Sequence, residues 1–307
     1  AWAVLAALGA VRTGRPVKLI LSRTQDIAVT GKRHPYSSDW KIGLDAAGTI
    51  LAFEATYYQN AGAVADLSTS ILERTLFHAT GSYFVPNVRV KALSCRTNLP
   101  PFTAFRGFGG PQGMFVMEAA LRRAAAGMGV PVRELQRRNL LRENDLFCYG
   151  MRVQECRAER CWDEAVERYN IEEIFKNIDA FNKKGGRYRK GAWLMPVCFG
   201  ISFTKRSMNQ AGALVHVYQD GSVLVSTGAI EMGQQVSRKL ALVAARTLGL
   251  PVARVSVERT STLTVANTVP TAASTGSDLN GMAASIACRI IQDRLIAKAA
   301  SMLGEQP

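Results

Sequence analysis

The residues with the clearest capacity for chemistry lie at positions 103–113, which read TAFRGFGGPQG. The four glycines allow the backbone to take positive φ values and to approach another group closely. Pro111 suits the first turn of a helix, whose free backbone N–H groups favour an anion or an oxo group. Phe105 and Phe108 suit the wall of a pocket for a flat aromatic ligand. The segment therefore predicts a ligand-binding loop before a helix, and a purely structural turn is the alternative.

Two common kinds of site are not expected in this chain. A dinucleotide motif requires a glycine three positions after Gly109, and Gln112 stands there. A zinc or iron-sulfur site held by protein side chains is not expected either, because the few histidines and cysteines lack CxxC spacing. They are His34, His78, His216, Cys95, Cys148, Cys156, Cys161, Cys198 and Cys288.

The composition is that of a globular protein. With 307 residues, 48% of them hydrophobic, the chain can bury a substantial core and form two domains of ordinary size. Neither a membrane helix nor a signal peptide is indicated, so we expect a cytoplasmic protein without a membrane partner. The net charge of +14 is spread over several short basic segments and is not gathered with aromatic residues in a known nucleic-acid motif. A nucleic-acid partner would rest on net charge alone and is not expected.

Strand and helix patterns follow one another along the chain and are expected to position the loop. A hairpin is predicted where two alternating runs flank the turn Gln219, Asp220 and Gly221. The predicted strands are residues 17–21, 41–44, 49–58, 88–96, 214–218, 222–226 and 254–258. Helices are predicted at residues 1–9, from Pro111 through Leu121, and at 132–139, 162–169, 171–181, 235–248 and 278–303.

Several longer segments resemble one family, the molybdenum hydroxylases, and within it the molybdenum-cofactor portion of xanthine dehydrogenases. The resemblance runs in the family's order over nearly the whole chain. The segments are STSILERTLFH (68–78), SCRTNLPPFTAFRGFGGPQG (94–113), FGISFT (199–204), NQAGALVHVYQDGSVLVSTG (209–228) and NTVPTAAS (267–274). Each segment is more specific than a lone glycine motif.

The resemblance implies an α+β fold made of two mixed α/β molybdopterin-binding domains. Residues 1–140 would be the C-terminal part of the first domain, and residues 163–307 the N-terminal part of the second. Residues 141–162 would connect them, in agreement with a stretch that is rich in charge and poor in strand signal.

The resemblance also implies molybdenum-dependent hydroxylation of purines, from hypoxanthine to xanthine to urate. Arg74 matches the family's substrate arginine, which can stabilise negative charge on a purine oxygen. Phe108 and Phe203 match the two rings that sandwich the substrate, and Thr204 matches a residue that hydrogen-bonds it. Taken alone, Arg74 could equally be a helical arginine paired with Glu73 or Asp66, the phenylalanines core residues, and the threonine an ordinary strand residue.

For the molybdenum-molybdopterin cofactor, the resemblance implies contacts made largely by the main chain. Arg106 and Ala273 match positions whose backbone approaches the ligands of the metal. Gln234 matches a glutamine that contacts the pterin. Thr271 and Ser274 lie in a loop before the last predicted helix, where a phosphate would be favoured. Two residues depart from the family pattern: Gln235 replaces the glycine of EMGQG, and Gly276 stands where serine is common.

Other parts of the family's enzymes are expected outside this chain. These are the catalytic glutamate, two 2Fe-2S clusters and the FAD, so we expect an internal piece of a larger enzyme that is inactive alone. The full enzyme would be a homodimer that contains the remaining segments. The alternatives are an aldehyde oxidase-like hydroxylase and a non-catalytic binding or scaffold remnant. Arg74 favours the purine substrate, because the substrates of aldehyde oxidases carry no oxygen that needs charge stabilisation.

Overall fold

A computed structural model describes residues 2–203, 206–261, 263–265 and 268–304. The chain divides into two compact units, Ala1–Phe199 and Gly200–Pro307. Each unit combines a three-stranded mixed sheet with helices, which confirms the predicted α+β class. In the described part of the chain, no helix has the length and apolar character needed to cross a bilayer.

The first unit is built on the sheet β1-β2-β3. Strands β1 (Tyr36–Leu44) and β2 (Ile50–Gly62) form an antiparallel hairpin, and β3 (Asn87–Arg96) pairs with β2 in parallel after a crossover through helix α3 (Ser68–Phe77). The other helices are α1 (Trp2–Thr13), α2 (Arg23–Val29), α4 (Gly110–Met128), α5 (Val132–Arg138), α6 (Ala158–Arg168) and α7 (Ile171–Lys183).

The core of the first unit lies between β2 and α4. Side chains alternate across a strand, so Phe53 and Tyr57 of β2 point to one face, where both are fully buried. Met117 and Leu121, four residues apart on α4, lie on one helix face and belong to the same core cluster. This packing fixes the first turn of α4, which directly follows the glycine-rich loop.

A buried carboxylate is part of this core. Glu118 of α4 accepts hydrogen bonds from Tyr83 Oη (2.6 Å), Gln136 Nε2 (2.7 Å) and Trp193 Nε1 (2.9 Å). Burial raises the pKa of Glu118, and the three donors partly counter that effect. Because Trp193 is one of the donors, Glu118 ties residues near the end of this unit to its core.

The second unit repeats the strand plan of the first. Strands β4 (Ala213–Val217) and β5 (Val223–Thr227) form an antiparallel hairpin, and β6 (Val255–Val257) pairs with β5 in parallel after helix α8 (Val236–Leu248). The long helix α9 (Gly276–Leu303) packs against α8 and β4. Short 3-10 turns occur at Arg206–Met208 and Val252–Arg254.

Most of the predicted elements are confirmed. The hairpin around Asp220 and the starts of α4, α8 and α9 lie within two residues of their predicted positions. The predicted strand at residues 17–21 is wrong, because no described strand pairs with it. The domain limits 1–140 and 163–307 stay a prediction, although α6 and α7 belong to the first compact unit and Trp162 to its core.

Candidate functional site

Arg74 lies in the last turn of α3, and its side chain is half-buried. Its guanidinium carbon is 5.4 Å from the centroid of the Phe199 ring, within the range of a cation–π interaction. Burial lowers the pKa of Arg74, and the nearby Tyr149 phenol partly counters this. Even so, an arginine remains charged in a protein. Arg74 is therefore a fixed positive charge beside aromatic rings, as a site for a polarised planar ligand requires.

A partly buried chain of hydrogen bonds connects the sheet to both α3 and the glycine-rich loop. Ser94 Oγ donates to Gln59 Oε1 (2.9 Å), and Gln59 Nε2 donates to Tyr36 Oη (2.8 Å). Tyr36 Oη lies 3.0 Å from Thr75 Oγ1, which in turn lies 3.0 Å from the carbonyl oxygen of Gly109. Thr75 and Gly109 are direct neighbours of Arg74 and Phe108, so this chain fixes the two predicted substrate residues relative to each other.

The glycines of the loop serve two different purposes. Gly107 and Gly109 have φ values of 91° and 97°, so the positive φ expected for all four glycines occurs at two of them. The other two are required for close approach: a Cβ at Gly110 would lie 2.5 Å from the Phe199 ring, and one at Gly113 would lie 2.7 Å from the carbonyl oxygen of Thr75. The loop therefore packs directly against α3 and Phe199.

Phe108 itself has a left-handed backbone, with φ of 46°. Bulky residues rarely take this conformation, which costs about 1–2 kcal/mol. The backbone N–H of Phe108 donates to the carbonyl oxygen of Phe105 (2.8 Å), and the glycines on both sides allow the turn. The loop thus holds Phe108, whose ring is half-buried, in a backbone conformation that a phenylalanine rarely adopts.

Arg33 supports the same loop and was not found from the sequence. Its Nη2 donates to the carbonyl oxygen of Arg106 (2.6 Å), and its guanidinium carbon lies 4.5 Å from the centroid of the Phe105 ring. The contact joins residues 73 positions apart, so no local spacing could have indicated it. Arg33 therefore fixes the main chain of Arg106, the position expected to approach the ligands of the metal.

In the second unit, the structure brings Phe203 and Ala273 into neighbouring segments. The side chain of Asn209 holds the backbone of Phe203 from both sides, accepting from its N–H and donating to its carbonyl oxygen, each at 2.8 Å. The preceding residue, Ser202, donates its N–H to the carbonyl oxygen of Ala273 (2.9 Å). Thr204, the remaining predicted substrate residue, lies outside the described residues.

The predicted pterin residue Gln234 shapes its own loop. Its amide donates to the carbonyl oxygen of Ile230 (2.7 Å) and accepts from the N–H of Met232 (2.6 Å). The N–H of Ile230 donates to the Thr271 hydroxyl (2.9 Å), so the structure joins two of the predicted cofactor residues through one residue. The Gln234 amide still has one N–H proton and one lone pair for a ligand.

The loop before α9 carries unusual backbone geometry. Ala273 and Ser274 have φ values of 53° and 59°, and helix α9 begins two residues later at Gly276. The Ser274 side chain is exposed beside this helix N-terminus, where an anion is favoured. A Cβ at Gly276 would make only ordinary contacts, the nearest at 3.5 Å from Thr271, so nothing in the packing requires glycine there.

Protein side chains offer no evident metal site in the residues that the structure covers: they contain no group of three or more histidine, cysteine or acidic side chains able to hold a metal ion. The six cysteines are described as free thiols.

The motifs and the two similar units correspond to a known family. Molybdopterin cofactor-binding domain families match residues 1–140 and 164–307. The chain therefore belongs to the molybdopterin cofactor-binding family, as its motifs predicted, and consists of two domains of this kind.

Within that family, the chain is similar to xanthine dehydrogenases. It is 44% identical to the xanthine dehydrogenase/oxidase of Mus musculus and 45% identical to that of Gallus gallus, in each case over 94% of the chain. It is 40% identical to the xanthine dehydrogenase of Dictyostelium discoideum over 95% of the chain. The chain spans only about a fifth of these relatives, 21–22% of their length.

Solved structures share the fold. Quinoline 2-oxidoreductase from Pseudomonas putida 86 superposes with a TM-score of 0.78 at 23% identity, over 98% of this chain and 40% of that one. Aldehyde oxidoreductase from Desulfovibrio gigas gives a TM-score of 0.75 at 24% identity, over 95% of this chain and 32% of that one. These likenesses confirm the predicted fold class.

Proposed function

We propose that this chain supplies cofactor contacts and substrate contacts for a molybdenum-dependent enzyme that hydroxylates purines, converting hypoxanthine to xanthine and xanthine to urate. The similarity to xanthine dehydrogenases supports the reaction class. The observation that carries the purine substrate is the placement of Arg74, a half-buried cation over the Phe199 ring, fixed to the Phe108 loop through Thr75.

This geometry suits a planar substrate on which negative charge develops. A fixed guanidinium stabilises charge on a carbonyl oxygen of the purine without reorganising during the reaction, a contribution of about 3 kcal/mol. Phe108 would contact the purine ring, and aromatic pairs add about 0.5–1.5 kcal/mol beyond burial. Phe203 and Thr204 are proposed as further substrate residues. An aldehyde such as benzaldehyde has no carbonyl oxygen on its ring for Arg74 to bind.

The cofactor residues fit a pterin with a phosphate. The Gln112 amide oxygen, in the first turn of α4, is buried without a partner and suits an N–H donor of a ligand. Exposed Ser274, together with Thr271, would hold a phosphate before α9. Gln234 would contact the pterin with the N–H proton and the lone pair that its amide does not use within the loop. The main chain of Arg106 and of Ala273 would lie near the ligands of the metal. When bound, the molybdenum cofactor supplies the oxygen-transfer and two-electron chemistry.

The remaining features of the enzyme belong to the same proposal. Two 2Fe-2S clusters and FAD would be bound by other segments of the protein and carry electrons away from the molybdenum. The whole enzyme would be a cytoplasmic homodimer. The similarity to segments of much longer xanthine dehydrogenases supports this organisation.

The test compares wild type and R74Q in the natural full-length protein, with xanthine and benzaldehyde as substrates and molybdenum content measured for each preparation. We expect R74Q to lower kcat/KM for xanthine about 100-fold and to leave the rate with benzaldehyde nearly unchanged. R89Q is the matched control, because Arg89 lies on β3 with an 87% exposed side chain.

Each outcome assigns a function. Equal activity of wild type and R74Q with xanthine would contradict the purine role of Arg74. A wild type that contains molybdenum and oxidises only the aldehyde would indicate an aldehyde oxidase-like enzyme. A full-length protein without molybdenum and without activity would indicate a scaffold remnant.

A further inference from the structure

Phe199 occupies a position between the two predicted substrate elements of the first unit. Its ring lies 5.4 Å from the Arg74 guanidinium carbon and 4.8 Å from the centroid of the His78 ring, and both residues belong to the C-terminal end of α3. The ring also lies so close to Gly110 that a Cβ there would be 2.5 Å away. The ring therefore packs against both the end of α3 and the first residue of α4.

The segment that leads to Phe199 is anchored to the core of the same unit. Gln136 Nε2 donates to the carbonyl oxygen of Leu194 (2.8 Å), and Ser82 Oγ donates to that of Pro196 (3.0 Å). Trp193, just before them, donates to the buried Glu118 (2.9 Å). Three successive anchors thus bring the chain to Phe199 in a defined position. The path of the chain up to Phe199 is therefore fixed by hydrogen bonds that do not involve Arg74.

We propose that Phe199 is a positioning residue for Arg74. A long arginine side chain has many rotamers, and a ring held 5.4 Å from the guanidinium carbon favours the rotamers that keep this contact. Replacing Gly110 or moving the anchored segment would shift the ring and the guanidinium together. This inference rests on the proposed function, because it gives Phe199 a role through the proposed charge stabilisation by Arg74.

The experiment uses the natural full-length protein with three substitutions: F199L, F199Y and the double variant R74Q/F199L. F199L keeps an apolar side chain of similar size without the ring, and F199Y keeps the ring. We expect F199L to lower kcat/KM for xanthine about tenfold, mainly through kcat, and F199Y to stay within about twofold of wild type. The rate with benzaldehyde should change little in either variant. Adding F199L to R74Q should cause no further loss.

A second readout is independent of turnover. Equilibrium binding of urate, which carries carbonyl oxygens on its rings and a negative charge, should weaken in F199L and be preserved in F199Y. All rates are divided by molybdenum content, so a general folding defect is separated from a local one. Should F199L fail to fold, F199M provides the same comparison, since methionine also fills the space without a ring.

The possible outcomes separate this inference from the function on which it rests. Three outcomes would each overturn the positioning role while leaving the proposed function intact. F199L and F199Y could lose kcat/KM for xanthine equally, or a variant could lose activity equally with xanthine and with benzaldehyde. In the double variant, F199L could add its full loss to that of R74Q. A wild type that contains molybdenum and leaves xanthine unchanged would overturn the proposed function, and this inference with it.

Discussion

The two units start a helix in the same unusual way but hold it by different means. Helix α4 of the first unit has the left-handed N-cap Gly109, with φ of 97°, and helix α8 of the second has the left-handed N-cap Gln235, with φ of 60°. Gly109 has no side chain to cap its helix, and the side chain of Gln235 makes no capping hydrogen bond. At Gly109, a Cβ would overlap the carbonyl oxygen of Ile71, whereas Gln235 is exposed to solvent.

The difference shows that the first turn is fixed by packing and the second by charge-assisted hydrogen bonds. In the second unit the Glu231 carboxylate accepts from the backbone N–H groups of Gly233 (2.8 Å), Gln235 (3.0 Å) and Ser237 (3.2 Å). Packing excludes side chains and does not respond to pH, whereas a carboxylate that accepts backbone N–H groups does. The two turns should therefore fail under different changes.

The largest effect is expected from G109A. Alanine would have to adopt a left-handed backbone and would displace the Ile71 carbonyl, so we expect the local free energy of opening of this turn to fall by about 3 kcal/mol. Hydrogen exchange of the Gly110 and Gly113 amides in the full-length protein measures this quantity. Because the turn holds Phe108, activity should fall as well.

The matched control for this prediction is G127A on the same helix. Gly127 is exposed, has no positive φ, and a Cβ there would have no neighbour within 4 Å. Alanine should raise local stability by about 0.5 kcal/mol, because it has the higher helix propensity. Similar losses in G109A and G127A would show that helix α4 is sensitive to any change and that the turn is not specially packed.

An intermediate effect is expected at Glu231. The N–H groups of Ser237, Gln235 and Gly233 lower the pKa of Glu231 below its ordinary value of 4.5. A carboxyl whose pKa is lower in the folded state stabilises that state above the unfolded pKa, and this stabilisation is lost as pH falls through the folded pKa. The turn before α8 should therefore loosen in acid below about pH 4.5, as measured by exchange of the Ser237 amide.

E231Q provides the control for the acid effect. Glutamine keeps the length of the side chain without a titratable group, so the turn should be less stable near neutral pH and lose its dependence on pH below 4.5. The turn before α4, which has no such carboxylate among its hydrogen bonds, is the internal comparison. Equal acid sensitivity of both turns would contradict the distinction drawn between them.

Local patterns in the sequence were sufficient for most of the fold. Asp220 and Gly221 indicated the β4–β5 hairpin because the turn residues and the flanking alternation act over a few positions. The run at residues 17–21 is as apolar as the strands of this hairpin but was wrongly predicted as a strand. A strand needs a partner, and periodicity alone does not show whether one exists.

The site was predictable only in part, and for a related reason. Arg74 and Phe108 were singled out because their surrounding segments resemble a known family. The residues that place them, Arg33, Thr75 and Phe199, act through contacts between distant parts of the sequence. Nothing in their own neighbourhood distinguishes such residues from ordinary core or surface positions.

The smallest effect, and the sharpest comparison with Gly109, is expected from Q235G. Glycine tolerates φ of 60° without strain, which removes a penalty of about 1 kcal/mol, but it also increases the entropy of the unfolded chain. We expect a net gain of about 0.5 kcal/mol in the local stability of the α8 N-terminus, measured by exchange of the Ser237 and Lys239 amides. Glu231 should keep its hydrogen bonds, because they involve the backbone of residue 235 and not its side chain.

The same substitution tests whether Gln235 has a role beyond its backbone. Q235A retains the Cβ and the strain but removes the amide, so the exchange rates of Q235A should match wild type while those of Q235G decrease. If Q235A and Q235G both destabilise the turn, the amide of Gln235 makes a contact that stabilises it. The contact of the Gln235 amide would then offset the backbone strain of a non-glycine residue at this position. The second turn, like the first, would be fixed by the residue at its N-cap.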